Sequence, residues 1–219
     1  MKIAVDGPAG AGKSTVAKIV AEKMDLLYID TGAMYRAVTF DLIKKHISLN
    51  DESGVERYLK NLDLSMKRNR STGEMDIFIN GTKVNDHLRT KIVDQNVSLV
   101  SSYRCVRELC VDLQKKLGEE YDVILDGRDI GTVVFPDADI KFYIDASVEE
   151  RARRRKDDKK HQDTRPMEEI KQDIIRRDEF DSNRKLSPLK KADDAIYLDT
   201  SEMNIEQVVD FIMARIRNL

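Results

Sequence analysis

Lys13 and Ser14 close the run Gly7-Pro8-Ala9-Gly10-Ala11-Gly12, so the segment fits the spacing G-x-x-x-x-G-K-[ST]. The chemistry open to such a segment is phosphate binding. Glycines let a backbone turn tightly and bring its N–H groups around phosphate oxygens. A lysine ammonium reaches the β- and γ-phosphates, and a serine hydroxyl joins a Mg²⁺ shell. Gly7, Pro8, Ala9, Gly10, Ala11, Gly12, Lys13, Ser14 and Thr15 are therefore expected to cradle a nucleoside triphosphate. Asp126 ends the apolar run Val123-Ile124-Leu125. An acid there is expected to serve the same Mg²⁺, directly or through water.

A second group of residues points to a second anion. The stretch 151–165 carries eight basic residues (Arg151, Arg153, Arg154, Arg155, Lys156, Lys159, Lys160, Arg165) against Asp157, Asp158 and Asp163. Half of such a run is expected to be a solvated face. Arg151 and Arg155, four apart, share a helix face and suit a mobile cover that brings guanidinium groups onto a transferring phosphoryl group. Arg177, Asp181 and Arg184 follow at spacings of four and three, which puts plus, minus, plus on one helix face. With Arg36, Arg107 and Arg128 they outnumber the arginines a structural core needs, and arginine is the side chain for bidentate phosphate contacts.

The elements that must position these groups are legible in the periodicity. Residues 2–6 read as a strand entering the glycine run, with a helix beyond it at Val16, Ile19, Val20 and Met24. Leu26–Ile29 reads as a second strand, capped into a helix by Asp30 or Thr31 and running through Ile43. A weaker helix spans Asp51–Asn61. From Leu62 the pattern alternates; a turn follows at 69–73, and Met75–Ile79 alternates again. Asn80-Gly81 is a two-residue hairpin signal before Thr82-Lys83-Val84. This predicts an inserted antiparallel sheet at 62–86, with 1–61 and 87–219 as core. Helices are expected at 89–101, 103–117, 148–156, 167–180 and 205–216, with strands at 123–125, 140–144 and 195–198. The fold class is α/β, a five-stranded parallel sheet flanked by helices.

The totals narrow the choices. Lys+Arg 38 against Asp+Glu 40 leaves a net charge of −2 over 219 residues, so no global field favours nucleic acid. No apolar run approaches the ~20 residues that span a bilayer. The start MKIAVDG lacks signal-peptide anatomy, and a cytoplasmic location is expected. Cys105 and Cys110 point to different faces of one helix, against a disulfide. His46, His87 and His161 are isolated, and no Asn-Lys-x-Asp element reads guanine.

GPAGAGKST (7–15), DTGAMYR (30–36), DGRDIGTVVFPDAD (126–139), EERARRR (149–155) and RDEFDSNRKLSPL (177–189) together resemble the bacterial cytidylate kinases over essentially the whole chain. DGRDIGTVVFPDAD is the specific element of the set. The resemblance implies a P-loop NTPase fold of the nucleoside monophosphate kinase type, with a lid at 153–166 and the inserted sheet on the acceptor side. It implies a monomer that transfers the γ-phosphoryl of ATP to CMP or dCMP with Mg²⁺, without nucleic acid or membrane. Thr31, Ser98, Arg107 and Asp129 match positions that recognise cytosine. Arg36, Arg128 and Arg177 match those that hold the acceptor phosphate, and Tyr35, Asp181 and Arg184 those around the ribose. Arg151 and Arg155 match lid positions; with Lys13, Arg128 and Asp126 they form the expected catalytic set. Rival readings are the same architecture acting on UMP or AMP, a non-catalytic ATP sensor, and a nucleic-acid-stimulated ATPase.

Overall fold

The computed structural model describes residues 1–69, 71–158 and 163–219. Lys159, Lys160 and His161 of the sequence reading lie outside the described residues. The chain divides into two compact units, Met1–Leu27 with Tyr121–Leu219, and Tyr28–Glu120.

The first unit is built on parallel strands. β1 (Lys2–Asp6) pairs with β6 (Val123–Gly127) and β7 (Ile140–Asp145), and β7 pairs with β8 (Ile196–Asp199). With the edge strand β2 (Leu27–Asp30), the sheet order is β2-β6-β1-β7-β8. Ile3, Ala4, Val5, Ile124, Leu125, Phe142 and Ile144 are fully buried. Strands covered on both faces read as continuous apolar runs rather than alternating ones, which is why these segments were legible. The helices of this unit are α1 (Lys13–Met24), α6 (Val148–Asp157), α7 (Met167–Asn183) and α8 (Ile205–Ile216). α7 runs three residues beyond its expected end, so that Arg184 stands just outside it in extended backbone.

The second unit holds α2 (Thr31–Lys44), α3 (Glu52–Leu59), α4 (Lys91–Val100), α5 (Arg104–Glu120) and a three-stranded antiparallel sheet. That sheet comprises β3 (Leu64–Arg68), β4 (Met75–Ile79) and β5 (Thr82–Lys83). Leu64 faces Ile79 and Met66 faces Ile77 across the β3–β4 ladder, and all four are buried. The alternation seen in the sequence is thus one covered face. Asn80 and Gly81 both have positive φ, 49° and 76°, the tight turn that Asn-Gly favours. Residues 85–87, just before the expected fourth helix, form a short 3₁₀ turn, and α4 starts at Lys91 rather than Arg89. Among the described residues no helix is long and apolar enough to cross a membrane. Cys105 and Cys110 are free thiols.

Candidate active site

Asp6, Gly127 and Tyr143 are in register, so β1 and β6 end level, β7 runs two residues further, and the glycine loop springs from the carboxyl edge of the sheet. Open α/β sheets bind ligands at that edge. Gly7 has φ 144°, and a Cβ there would lie 1.9 Å from the Ile144 carbonyl oxygen. Only glycine fits. Gly12 opens α1 at φ 88° with no side-chain cap, which leaves the first-turn N–H groups to whatever anion meets them.

Lys13 is buried and donates from Nζ to the Pro8 carbonyl at 2.7 Å. Burial pushes its ammonium well below the usual lysine range. The Arg128 and Arg177 charges act in the same direction, while Asp126 and Asp6 oppose them. Ser14 Oγ donates to Asp126 Oδ2 at 2.7 Å, so the two groups expected to serve one metal ion lie side by side.

Two arginines of α6 hold the loop from its carbonyl side. Arg151 Nη1 donates to the Ala9 carbonyl at 3.2 Å, and Arg154 Nη1 to that of Ala11 at 3.2 Å. In a trans peptide the N–H points opposite to the C=O, so tying these carbonyls turns the Gly10 and Gly12 N–H groups the other way. Arg151 was expected on a mobile cover. In this structure it is buried, with further bonds to the Ala146 carbonyl at 2.9 Å and to Asp178. A guanidinium carries five N–H donors, and burial is tolerable where acceptors from several segments meet them. Arg154, which the sequence reading left within the charge run, also bonds Glu150 at 2.8 Å and the Thr200 carbonyl at 2.6 Å. Its only sequence signal was its place three residues after Arg151. Arg155 is half-buried and pairs with Asp163 at 3.5 Å. Asp163 is in turn held by Arg165 at 2.7 Å, and its carboxyl falls to about 2.

The remaining charged residues of the first unit interlock. Arg128 Nε bonds Asp181 Oδ2 at 3.0 Å, and Arg184 Nη2 bonds Asp129 Oδ1 at 3.2 Å. Arg184 also donates to the Ser187 carbonyl at 2.6 Å. Asp181 and Arg184 of the plus-minus-plus pattern therefore reach across to the turn after β6. Helical spacing alone gave no sign of that, because the partners lie more than fifty residues away.

In the second unit, Thr31 opens α2 and is buried, and Asp30 caps that helix by accepting from the Ala33 N–H at 2.9 Å. Arg36 pairs with Asp94 of α4 at 2.9 Å. Arg107 of α5 is buried with its guanidinium 5.6 Å from the Tyr35 ring centroid and donates to the Ser101 carbonyl at 3.4 Å. Ser98 is half-buried on α4. Thr31, Tyr35, Arg36, Ser98 and Arg107 thus sit on three helices, with α2 packed against both α4 and α5.

The model of the cytidylate kinase family matches residues 3–218. The chain belongs to the cytidylate kinase family. It is similar to the cytidylate kinase of Clostridioides difficile (strain 630), 50% identical over 217 residues, covering 98% of this chain and 97% of that one. It is likewise similar to the cytidylate kinase of Bacillus subtilis (strain 168), 46% identical with 97% and 95% covered. A member of the cytidylate kinase family is a nucleoside monophosphate kinase, a phosphotransferase with ATP as phosphoryl donor. Among solved structures the chain resembles a shikimate kinase from Bacteroides thetaiotaomicron, with a TM-score of 0.51 at 14% identity and 99% and 98% covered. It also resembles a gluconokinase from Sinorhizobium meliloti 1021, with a TM-score of 0.50 at 13% identity and 97% and 89% covered. These two likenesses concern the fold alone.

Proposed function

We propose that the chain transfers the γ-phosphoryl group of ATP to CMP or dCMP, giving ADP and the pyrimidine nucleoside diphosphate. Membership of the cytidylate kinase family supports the reaction. The observation that carries the residue assignment is the junction at the ends of β1 and β6, where Lys13, the Ser14–Asp126 pair and the Arg128–Asp181 pair come together.

The loop Gly7–Thr15 holds the triphosphate through its N–H groups, with Lys13 on the β- and γ-phosphates. Ser14 and Asp126 offer a hydroxyl and a carboxylate oxygen, hard donors that suit Mg²⁺, an ion that keeps waters and phosphates in its shell instead of an all-protein cage. The ion would supply charge neutralisation at the β- and γ-phosphate oxygens. Arg36, Arg128 and Arg177 hold the acceptor phosphate, whose oxygen attacks the γ-phosphorus as the bond to the β-phosphate oxygen breaks. Phosphoryl transfer asks for positioning and charge stabilisation above all. Arg155 supplies the cationic side of a lid at 153–166, and Arg151 acts through the loop carbonyl it holds. Thr31, Ser98, Arg107 and Asp129 read cytosine, with Asp129 accepting from the exocyclic amine. Uracil presents a carbonyl there, an acceptor facing an acceptor. Tyr35, Asp181 and Arg184 line the ribose, and the segment 62–86 covers the acceptor side. The working form is a cytoplasmic monomer.

Steady-state ADP formation with CMP, dCMP, UMP and AMP tests the proposal. The expected order puts CMP and dCMP first, with activity lost in a chelator and restored by Mg²⁺. Preference for UMP or AMP overturns the cytosine assignment. ATP binding without turnover on any monophosphate favours the sensor.

A further inference from the structure

Asp6 is the one acid in an otherwise apolar strand, except for its first residue, and it is 4% exposed. It does not bond Lys13, whose ammonium is taken by the Pro8 carbonyl. Both its oxygens are spent on backbone 124 and 125 residues away: Oδ1 accepts from the Ile130 N–H at 2.8 Å and Oδ2 from the Gly131 N–H at 2.7 Å. Those two residues open the π-helical turn Ile130–Val134, whose flanking residue is Asp129. At the start of a helix an aspartate in that flanking position ordinarily turns its side chain back to accept an N–H two or three residues on, here that of Gly131 or Thr132. Asp129 makes no such cap. Its carboxylate is directed to Arg184, 3.2 Å away.

We propose that Asp6 is a positioning residue for base recognition: by capping the turn in place of Asp129, it keeps the Asp129 carboxylate, still paired with Arg184, out of the turn's own cap and turned to accept from cytosine as well. The inference rests on the reading that Asp129 accepts from the cytosine amine. Gly131 supports it independently. A Cβ there would stand 3.0 Å from Lys141 Cδ and 3.4 Å from Asp6 Oδ2, so a side chain at this position would crowd the packing that holds the turn beside the carboxylate. Burial pushes the Asp6 carboxyl up to about 6; Asp129 adds to the rise, and the two N–H groups and Lys13 limit it.

The test uses the full chain. Asp6→Asn preserves shape but sets an amide N–H₂ against a backbone N–H. We expect the KM for CMP to rise about tenfold or more and the CMP-to-UMP ratio of kcat/KM to fall about tenfold, with the KM for ATP within about threefold of the parent. A folded variant with an unchanged ratio overturns the inference, as does a KM for ATP that rises as far as that for CMP, because Asp6 would then serve the phosphate loop. Gly131→Ala crowds the same turn from the side of Asp6 and Lys141 and decides the matter should Asp6→Asn not fold. It is expected to lower the ratio likewise, and an unchanged ratio counts against us. Asp129→Ala separates the two layers of argument. Collapse of the ratio in Asp129→Ala with no change in the other two variants sinks the role of Asp6 and leaves the base reading standing. No change in Asp129→Ala sinks the base reading, and the role of Asp6 with it.

Discussion

Arg184–Asp129 in the first unit and Arg36–Asp94 in the second are the same chemical pair in different surroundings. The first is 3.2 Å long with side chains 5% and 6% exposed, the second 2.9 Å with 18% and 33%. Length does not distinguish them; solvent does. A buried pair has given up its hydration, so removing either partner strands a charge in low dielectric. A half-exposed pair exchanges its partner for water, or for another anion, at little cost. Arg184–Asp129 is therefore a fixed pair, and Arg151, 6% exposed beside Asp178, comes nearest to it, whereas Arg128, 19% exposed, stands level with Arg36. Arg36, paired with the one-third-exposed Asp94, can exchange that carboxylate for water or another anion at little cost.

Four substitutions press on this contrast. Lys13→Ala should have the largest effect, lowering kcat by about 10²–10³, while calorimetry finds the affinity for CMP within a few-fold of the parent. An equal loss of CMP affinity would merge the two functions that the contrast separates. Asp129→Ala should cost about 3–5 kcal/mol of stability in denaturant titration, since it leaves Arg184, 5% exposed, without its carboxylate. Asp94→Ala should cost about 0–1 kcal/mol, with the KM for CMP equal or lower. If the two costs came out alike, burial would not be the deciding variable. The smallest effect belongs to Glu150→Gln on α6. Hydrogen bonds from Arg153 and Arg154 hold the Glu150 carboxyl at about 2, below its ordinary 4.5. A depressed acid stabilises the fold above its unfolded pKa and loses that contribution as pH falls through its folded one. The parent should thus melt higher than Glu150→Gln at pH 7, and the gap should begin to close below about pH 4.5 and be gone near pH 2. A gap independent of pH would point to packing instead of charge.

Much of the fold was legible because its signals are local. The covered strands read as apolar runs, the small sheet as alternation, and Asn80-Gly81 as the turn it forms. The glycine loop was legible for the same reason, since Gly7 and Gly12 occupy backbone positions that side chains strain. Arg154 was not legible. Its partners at Ala11 and Thr200 are 143 and 46 residues away, and nothing in a run of like charges says which member turns inward. Arg151 was assigned to a mobile cover on the strength of helical spacing, which gives the face of a helix but not what packs against it.

By itself the sequence determined the chemistry available: a loop that binds phosphate, an acid at a strand end, and an excess of arginines in motifs shared with the cytidylate kinases. Local backbone preference and side-chain type suffice for that. Only the tertiary structure decided how each charge is used. Ser14 meets Asp126, and Asp129 is spared the capping of its own turn by Asp6. Those outcomes depend on the register of β1 against β6 and on which groups burial deprives of water, and both come from segments more than a hundred residues apart.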